Sequence, residues 1–280
     1  MAQVWLITGC SSGFGSEFVT EALSRGDKVI ATARTVAKVA HLRDAGAAIM
    51  QLDVTASQEE LNQKASDAIA IYGKVDVLVN NAAYTQFGTL EDMNPGDYLS
   101  QFTTNVFGTV NVTRAFLPHF RKRREGVIVN IGSMAAWETY PAVGAYCASK
   151  AALRYATEAL DQETAALGIK TLLVEPGQFR TELLSAKNSM FAETKFPEYR
   201  ELTEASFKSF REANGRQRGD PKKGVARIID VVKGENAAKG KEWPKELAVG
   251  ADAVAAIRKK CQDTLKKLEE WEEFSCGTDI

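Results

Sequence analysis

Ser133, Tyr146 and Lys150 fall within one stretch, SMAAWETYPAVGAYCASK over 133–150, at intervals that let three polar heads meet at one point. Tyr146 and Lys150 are four residues apart in a run that reads as a helix, AYCASKAALRYATEAL, so both project from one face, a turn apart. That sets a cation beside a phenol. A phenol titrates near ~10, and a unit charge at ~4 Å in an effective dielectric of about 20 is worth about 4 kcal/mol, enough to bring Tyr146 toward neutral pH. The spacing by itself is weak, since a Y-x-x-x-K pair arises by chance in roughly one chain in two of this size. Its weight depends on what positions it and what it would act upon.

The elements that must position these side chains alternate along the chain. Apolar runs at 4–7, 28–33, 47–52, 75–79, 126–131, 170–174 and 246–249 read as seven strands. Helical patterns lie between them near 14–25, 36–45, 57–72, 96–122, 144–167 and 222–233, with a last helix at 252–273. Such alternation predicts an α/β fold, a doubly wound seven-stranded parallel sheet of the Rossmann type with helices on both faces. We read residues 1–280 as a single domain, with 182–219 inserted after the sixth strand as a small helical lid over a substrate. In the last helix Val254, Ile257, Cys261, Leu265, Leu268 and Trp271 share one stripe, which predicts that it packs on the body.

The first strand runs directly into Thr8-Gly9-Cys10-Ser11-Ser12-Gly13-Phe14-Gly15 and then a helix. A strand, a glycine-rich turn and a helix start offer backbone N–H groups and a positive helix end to a pyrophosphate. The competing reading is a tight turn that uses glycine for conformation alone. At the end of the second strand stands Arg34, and no acid occurs between Lys28 and Lys38. A carboxylate there would hold the ribose 2′-OH of NAD, whereas an arginine accommodates a 2′-phosphate, so the expected cofactor is NADP(H). Read otherwise, Arg34 is a solvated surface charge. Asp53, followed by Val54, closes the third strand, and two readings stand side by side: an acceptor for the adenine amino group, or a turn aspartate.

With these motifs in place the chain resembles the short-chain dehydrogenase/reductase family over essentially its whole length. The family's T-G-x-x-x-G-x-G turn is matched by Thr8 to Gly15, and its N-N-A-G motif by Asn80-Asn81-Ala82-Ala83, with Ala83 in place of the usual glycine. The resemblance implies a catalytic tetrad of Asn105, Ser133, Tyr146 and Lys150. It also implies that the P-G-x-x-x-T run Pro176-Gly177-Gln178-Phe179-Arg180-Thr181 meets the nicotinamide. Tyr146 is then the general acid for a carbonyl oxygen that gains charge as hydride arrives, with Lys150 holding the ribose hydroxyls, Ser133 the oxyanion, and Asn105 a proton-relay water. Structurally, Asn105 would instead be a helix-kink residue satisfying its own backbone. Members of the family commonly pair through the helices near 96–122 and 144–167, which implies a homodimer or homotetramer.

The substrate side is read from apolar residues around these motifs. Trp137 and Tyr140 lie between Ser133 and Tyr146, and the segment 182–219 is rich in aromatics, Phe191 among them. We take Ser133, Trp137, Tyr140, Tyr146, Phe179 and Phe191 as substrate-binding, around a hydrophobic ketone or secondary alcohol, with the lid aromatics as body anchors in the plainer reading. The pattern looks most like the steroid- and retinol-dehydrogenase-like branch. The leading expectation is an NADP(H)-dependent carbonyl reductase or alcohol dehydrogenase. The alternatives are an epimerase, dehydratase or cyclase that retains NADP, and a non-catalytic NADP-binding sensor.

Composition narrows the partners. With 35 basic and 36 acidic residues the net charge is −1, which gives no electrostatic footprint for nucleic acid or a membrane surface. The opening MAQVWLITGC lacks a basic n-region and no apolar run approaches a spanning length, so a cytoplasmic location without a membrane span is expected. Four cysteines show neither CxxC pairing nor histidine neighbours, and we expect reduced thiols and no metal.

Overall fold

The computed structural model describes residues 2–280. Seven parallel strands form one sheet: β1 Val4–Ile7, β2 Lys28–Ala33, β3 Ala48–Gln51, β4 Val77–Asn80, β6 Gly126–Ile131, β7 Ile169–Pro176 and β9 Glu246–Val249. Their order, β3-β2-β1-β4-β6-β7-β9, reverses direction between β1 and β4, and a crevice opens there beyond the strands' carboxyl ends. Helices cover both faces: α1 Gly13–Ser24, the short α2 Ala40–Asp44, α3 Gln58–Tyr72, α4 Pro95–Phe102, α5 Gly108–Arg123, α6 Gly144–Thr164, α7 Arg200–Ala213 and α8 Pro221–Lys233. The predicted doubly wound sheet is present.

Burial on both faces explains why the five inner strands read as continuous apolar runs rather than alternating ones. In β1, Trp5 and Ile7 join Phe18 of α1 and Ile228 of α8 on one side. Val4 and Leu6 join Leu61 of α3 and Phe116 of α5 on the other.

Three local features differ from the expectation. The helix predicted over 96–122 is interrupted by a wide π-helical turn, Thr103–Phe107, between α4 and α5, a change of pitch that helical periodicity reads straight through. The inserted segment contributes a strand, β8 Ser189–Phe191, which pairs in parallel with β5 Thr85–Phe87 after β4. Three-residue strands carry too few alternations to be seen in a sequence.

The third difference is a correction. Helix α9, Ala251–Ser275, does not lay its stripe on the body: Val254, Leu265, Leu268 and Trp271 are exposed and only Ala253 is buried. Its start is anchored, because Asp252 Oδ2 accepts a hydrogen bond from the Gln178 N–H at 2.6 Å, and the remainder projects. Among the described residues no helix is long and apolar enough to cross a membrane.

Candidate active site

The turn after β1 is shaped by left-handed backbone at Gly9 (φ +69°) and Gly13 (φ +58°). A side chain at Gly15 would run into the Gly9 carbonyl and the Asn81 amide. Thr8 fixes this turn to the next strand end: its Oγ1 accepts from the backbone N–H groups of Asn81 (2.9 Å) and Ala82 (3.1 Å). Asn81 reciprocates, donating its side-chain amide to the carbonyls of Thr8 (2.9 Å) and Gly9 (3.1 Å).

Helix α1 then begins without a side-chain cap. Helices α3, α4 and α8 are capped by Ser57, Asn94 and Asp220, whereas Ser12 caps nothing with its side chain and no acid stands in the first turn of α1. The N–H groups and positive end of α1 stay available for an anion at the rim of the crevice. Uncapped donors, glycines that admit close approach, and a sheet switch point together fit a dinucleotide.

A cavity of about 870 Å³ opens from this turn. Gly9, Ser11, Ser12, Gly13 and Phe14 line it, as do Arg34, Asp53, Val54, Asn81, Ala82 and Ala83, and on the far side Pro176, Gly177, Phe179 and Thr181. Thr8 and Gly15 sit behind the wall. Arg34 is exposed at the rim and makes no ion pair among the described residues. Asp53 lines the cavity, and its Oδ1 accepts from the Thr55 backbone N–H (3.0 Å) and hydroxyl (2.8 Å), as a turn aspartate does.

Ser133, Tyr146 and Lys150 line the same cavity. Ser133 follows β6, two residues past its end, and its Oγ accepts from the Ala135 N–H at 3.1 Å, while α6 carries the other two. Lys150 is buried and its Nζ donates to the Ile131 carbonyl at 2.8 Å. Nζ stands 5.8 Å from the Tyr146 ring centre.

The expectation of a phenol lowered toward neutrality needs correcting. Burial pushes Tyr146 up to about 12, opposed by a hydrogen bond from Ser133 and assisted by Cys147. Desolvation prevails because the ammonium is turned toward the Ile131 carbonyl, and burial lowers Lys150 itself to about 8. At neutral pH Tyr146 therefore holds its proton and faces the cavity as a donor.

Asn105 lies in the π-helical turn, buried, and does not line the cavity. Its Oδ1 accepts from the Tyr84 N–H at 3.2 Å, and its Nδ2 donates to the Tyr84 carbonyl (3.1 Å) and to Ser149 Oγ (3.2 Å). Ser149 in turn donates to the Tyr146 carbonyl at 2.7 Å. Asn105 thus ties the loop after β4 to the turn of α6 that carries the phenol. Ser149, one helical turn from Tyr146, belongs to no motif in the sequence.

Of the proposed substrate residues, Tyr140 and Phe179 line the cavity, but Trp137 and Phe191 do not. Trp137 points toward the sheet: its Nε1 donates to both carboxylate oxygens of buried Glu175 (2.9 Å each), and the Arg154 guanidinium lies 4.3 Å over its ring. A sequence position between two site residues fixes a loop, not the direction of a side chain. Phe191 stacks on Phe87 at 4.6 Å beneath Arg211, so it anchors the lid, and Phe87 faces the cavity in its place. Met190, Phe210, Thr85 and Gln217 complete this end. The buried Thr85 Oγ1 and Gln217 Oε1 have no hydrogen-bond partner among the described residues.

Known proteins share this fold. The family model described as short chain dehydrogenase matches residues 3–191. Oxidoreductase BOA17 of Botryotinia fuckeliana is 34% identical over 99% of this chain and 100% of its own length. Among solved structures, a short-chain dehydrogenase from Streptomyces avermitilis superposes with a TM-score of 0.88 at 39% identity, covering 99% of this chain and 98% of that one. ElxO with NADP bound superposes with a TM-score of 0.72 at 27% identity, over 91% of this chain and all of that one.

Proposed function

The chain belongs to the short-chain dehydrogenase family, and from that premise we propose that it is an NADP(H)-dependent oxidoreductase acting on a hydrophobic ketone or the corresponding secondary alcohol. The observation that carries the reading is the convergence of Ser133, Tyr146 and Lys150 on the wall of the same cavity into which the Gly9–Gly13 turn opens. NADP(H), bound along that turn, supplies or accepts the hydride. Uncapped N–H groups of α1 hold its pyrophosphate, and Arg34 takes the 2′-phosphate.

Each remaining step falls to the protein. Ser133 donates a hydrogen bond to the carbonyl oxygen and orients it. Tyr146, protonated at neutral pH, delivers its proton to that oxygen as negative charge develops, and works as the base in the reverse direction. Lys150 spends one of its three N–H donors on Ile131, leaving two for ribose hydroxyls and for steadying the phenolate once formed. Asn105 acts at one remove, through Ser149, by fixing the helical turn that presents Tyr146.

The substrate end is walled by Phe87, Tyr140, Leu183, Leu184, Met190 and Phe210, which suits a ring-containing or long-chain body. Segment 182–219 serves as the lid. NADPH oxidation measured against a panel of hydrophobic ketones tests the reading. Turnover should fall about 10²–10⁴-fold in Tyr146→Phe while NADPH binding stays within a few fold. Undiminished turnover in that variant would remove Tyr146 from its role, and tight NADPH binding with no consumption on any ketone would sink the oxidoreductase assignment.

A further inference from the structure

Helix α9 leaves the body with an apolar face that nothing among the described residues covers. Every residue from 258 to 275 is exposed, and Leu265, Leu268, Trp271 and Phe274 are each between 56% and 81% exposed. In proteins most of a helix's stability comes from packing its apolar face rather than from propensity. The face repeats as a seam: Ile257, Cys261, Thr264, Leu268 and Trp271 recur at alternating three- and four-residue steps, the pattern of a helix pair.

The charges beside the seam say what covers it. Basic residues occupy 258–260 and 266–267, and acidic residues occupy 269–270 and 272–273. With Asp263, five basic and five acidic side chains leave 258–273 without net charge. A membrane-seeking helix would instead carry a basic polar face. A parallel copy would set the basic run 258–260 beside the same run of its partner and the acidic run 269–273 beside its own, whereas an antiparallel copy sets 258–260 of each helix against 272–273 of the other, with the Lys266-Lys267 pairs meeting near the axis.

We propose that α9 is a dimerisation element that pairs antiparallel with α9 of a second copy, across a two-fold axis beside Leu265. In that register Cys261 packs against Trp271 and Thr264 against Leu268. Arg258 and Glu272, both on the border of the seam that Leu265 also occupies, face each other twice by symmetry. The surface is separate from the α5 and α6 faces implied by family resemblance, and the inference does not depend on the redox reading.

Sedimentation equilibrium on the full chain tests it, with circular dichroism confirming that the exposed substitutions leave the fold intact. Arg258→Glu should weaken one association step about tenfold, as should Glu272→Arg, through two lost and two repulsive exposed pairs. The two changes together in one chain should restore the association. With Cys261→Ser and Cys276→Ser as background, Leu265→Cys should be bridged to itself by a short bismaleimide, while Lys259→Cys on the outer face should not. Association that ignores all three charge variants, a monomer at every concentration, or no Leu265→Cys bridging overturns the proposal. So does binding to vesicles containing anionic phospholipid that Glu272→Arg strengthens while the mass of the protein stays unchanged, which would mark a lipid contact.

Discussion

Cofactor binding should draw a proton from solvent, and Lys150 is where it should go. The perturbation is NADP⁺ itself, added at a series of pH values. In the free protein burial holds Lys150 near 8 against an ordinary 10.5, a penalty of about 3 kcal/mol on the charged form. Its Nζ has one partner, the Ile131 carbonyl, and hydroxyl acceptors supplied by a bound ribose favour the ammonium. Returning its titration toward 10.5 changes little at pH 7, where the lysine is already mostly charged. At pH 9 the free protein holds Lys150 mostly neutral and the complex holds it charged, so uptake should approach about one proton per site. Calorimetric titration in buffers of differing ionisation enthalpy reads that number directly. Uptake near zero at pH 9, or undiminished uptake in Lys150→Met, would refute the reasoning. A companion effect has the same origin: a lysine lowered by folding binds fewer protons folded than unfolded, so cofactor-free stability should rise with pH from about 8. Above about 10 Tyr146, raised by folding, should begin to offset the gain.

Two further outcomes are expected. Arg34→Asp should move the NADPH/NADH ratio of kcat/KM toward NADH by about 10²-fold, the worth of one or two charged hydrogen bonds to a phosphate; an unchanged ratio would leave Arg34 a solvated surface charge. Glu175→Gln removes the anion that holds Trp137 and Arg154 and should cost about 1–3 kcal/mol in denaturant unfolding; since Arg154 keeps Glu158 and Glu246, a larger loss would mean that those pairs do not compensate.

Much of this was legible because sequence carries information about the backbone more faithfully than about direction. The five inner strands follow from apolar runs buried on both faces, the two half-buried edge strands from short apolar runs, and the glycine turn from a strand leading into a helix start. What escaped concerns facing. Periodicity in α9 declares an apolar stripe but not whether the partner is the body or another molecule. Trp137 sits in the loop that joins Ser133 to Tyr146, yet its indole turns to Glu175, a residue no motif singles out. The Tyr146–Lys150 spacing foretold proximity. It could not foretell that the ammonium would spend a donor on Ile131, leaving desolvation to dominate the phenol.

The pairing of β5 with β8 bears on how this scaffold would tolerate recombination. Thr85, Gln86 and Phe87 hold Ser189, Met190 and Phe191 through backbone hydrogen bonds, and Phe87 stacks on Phe191 across the join. Residues some hundred positions apart are thus stitched into one cassette. Transplanting 182–219 from a relative without its matching 84–88 would leave two unpaired strand edges beside the cavity, so the two segments are exchanged together or not at all.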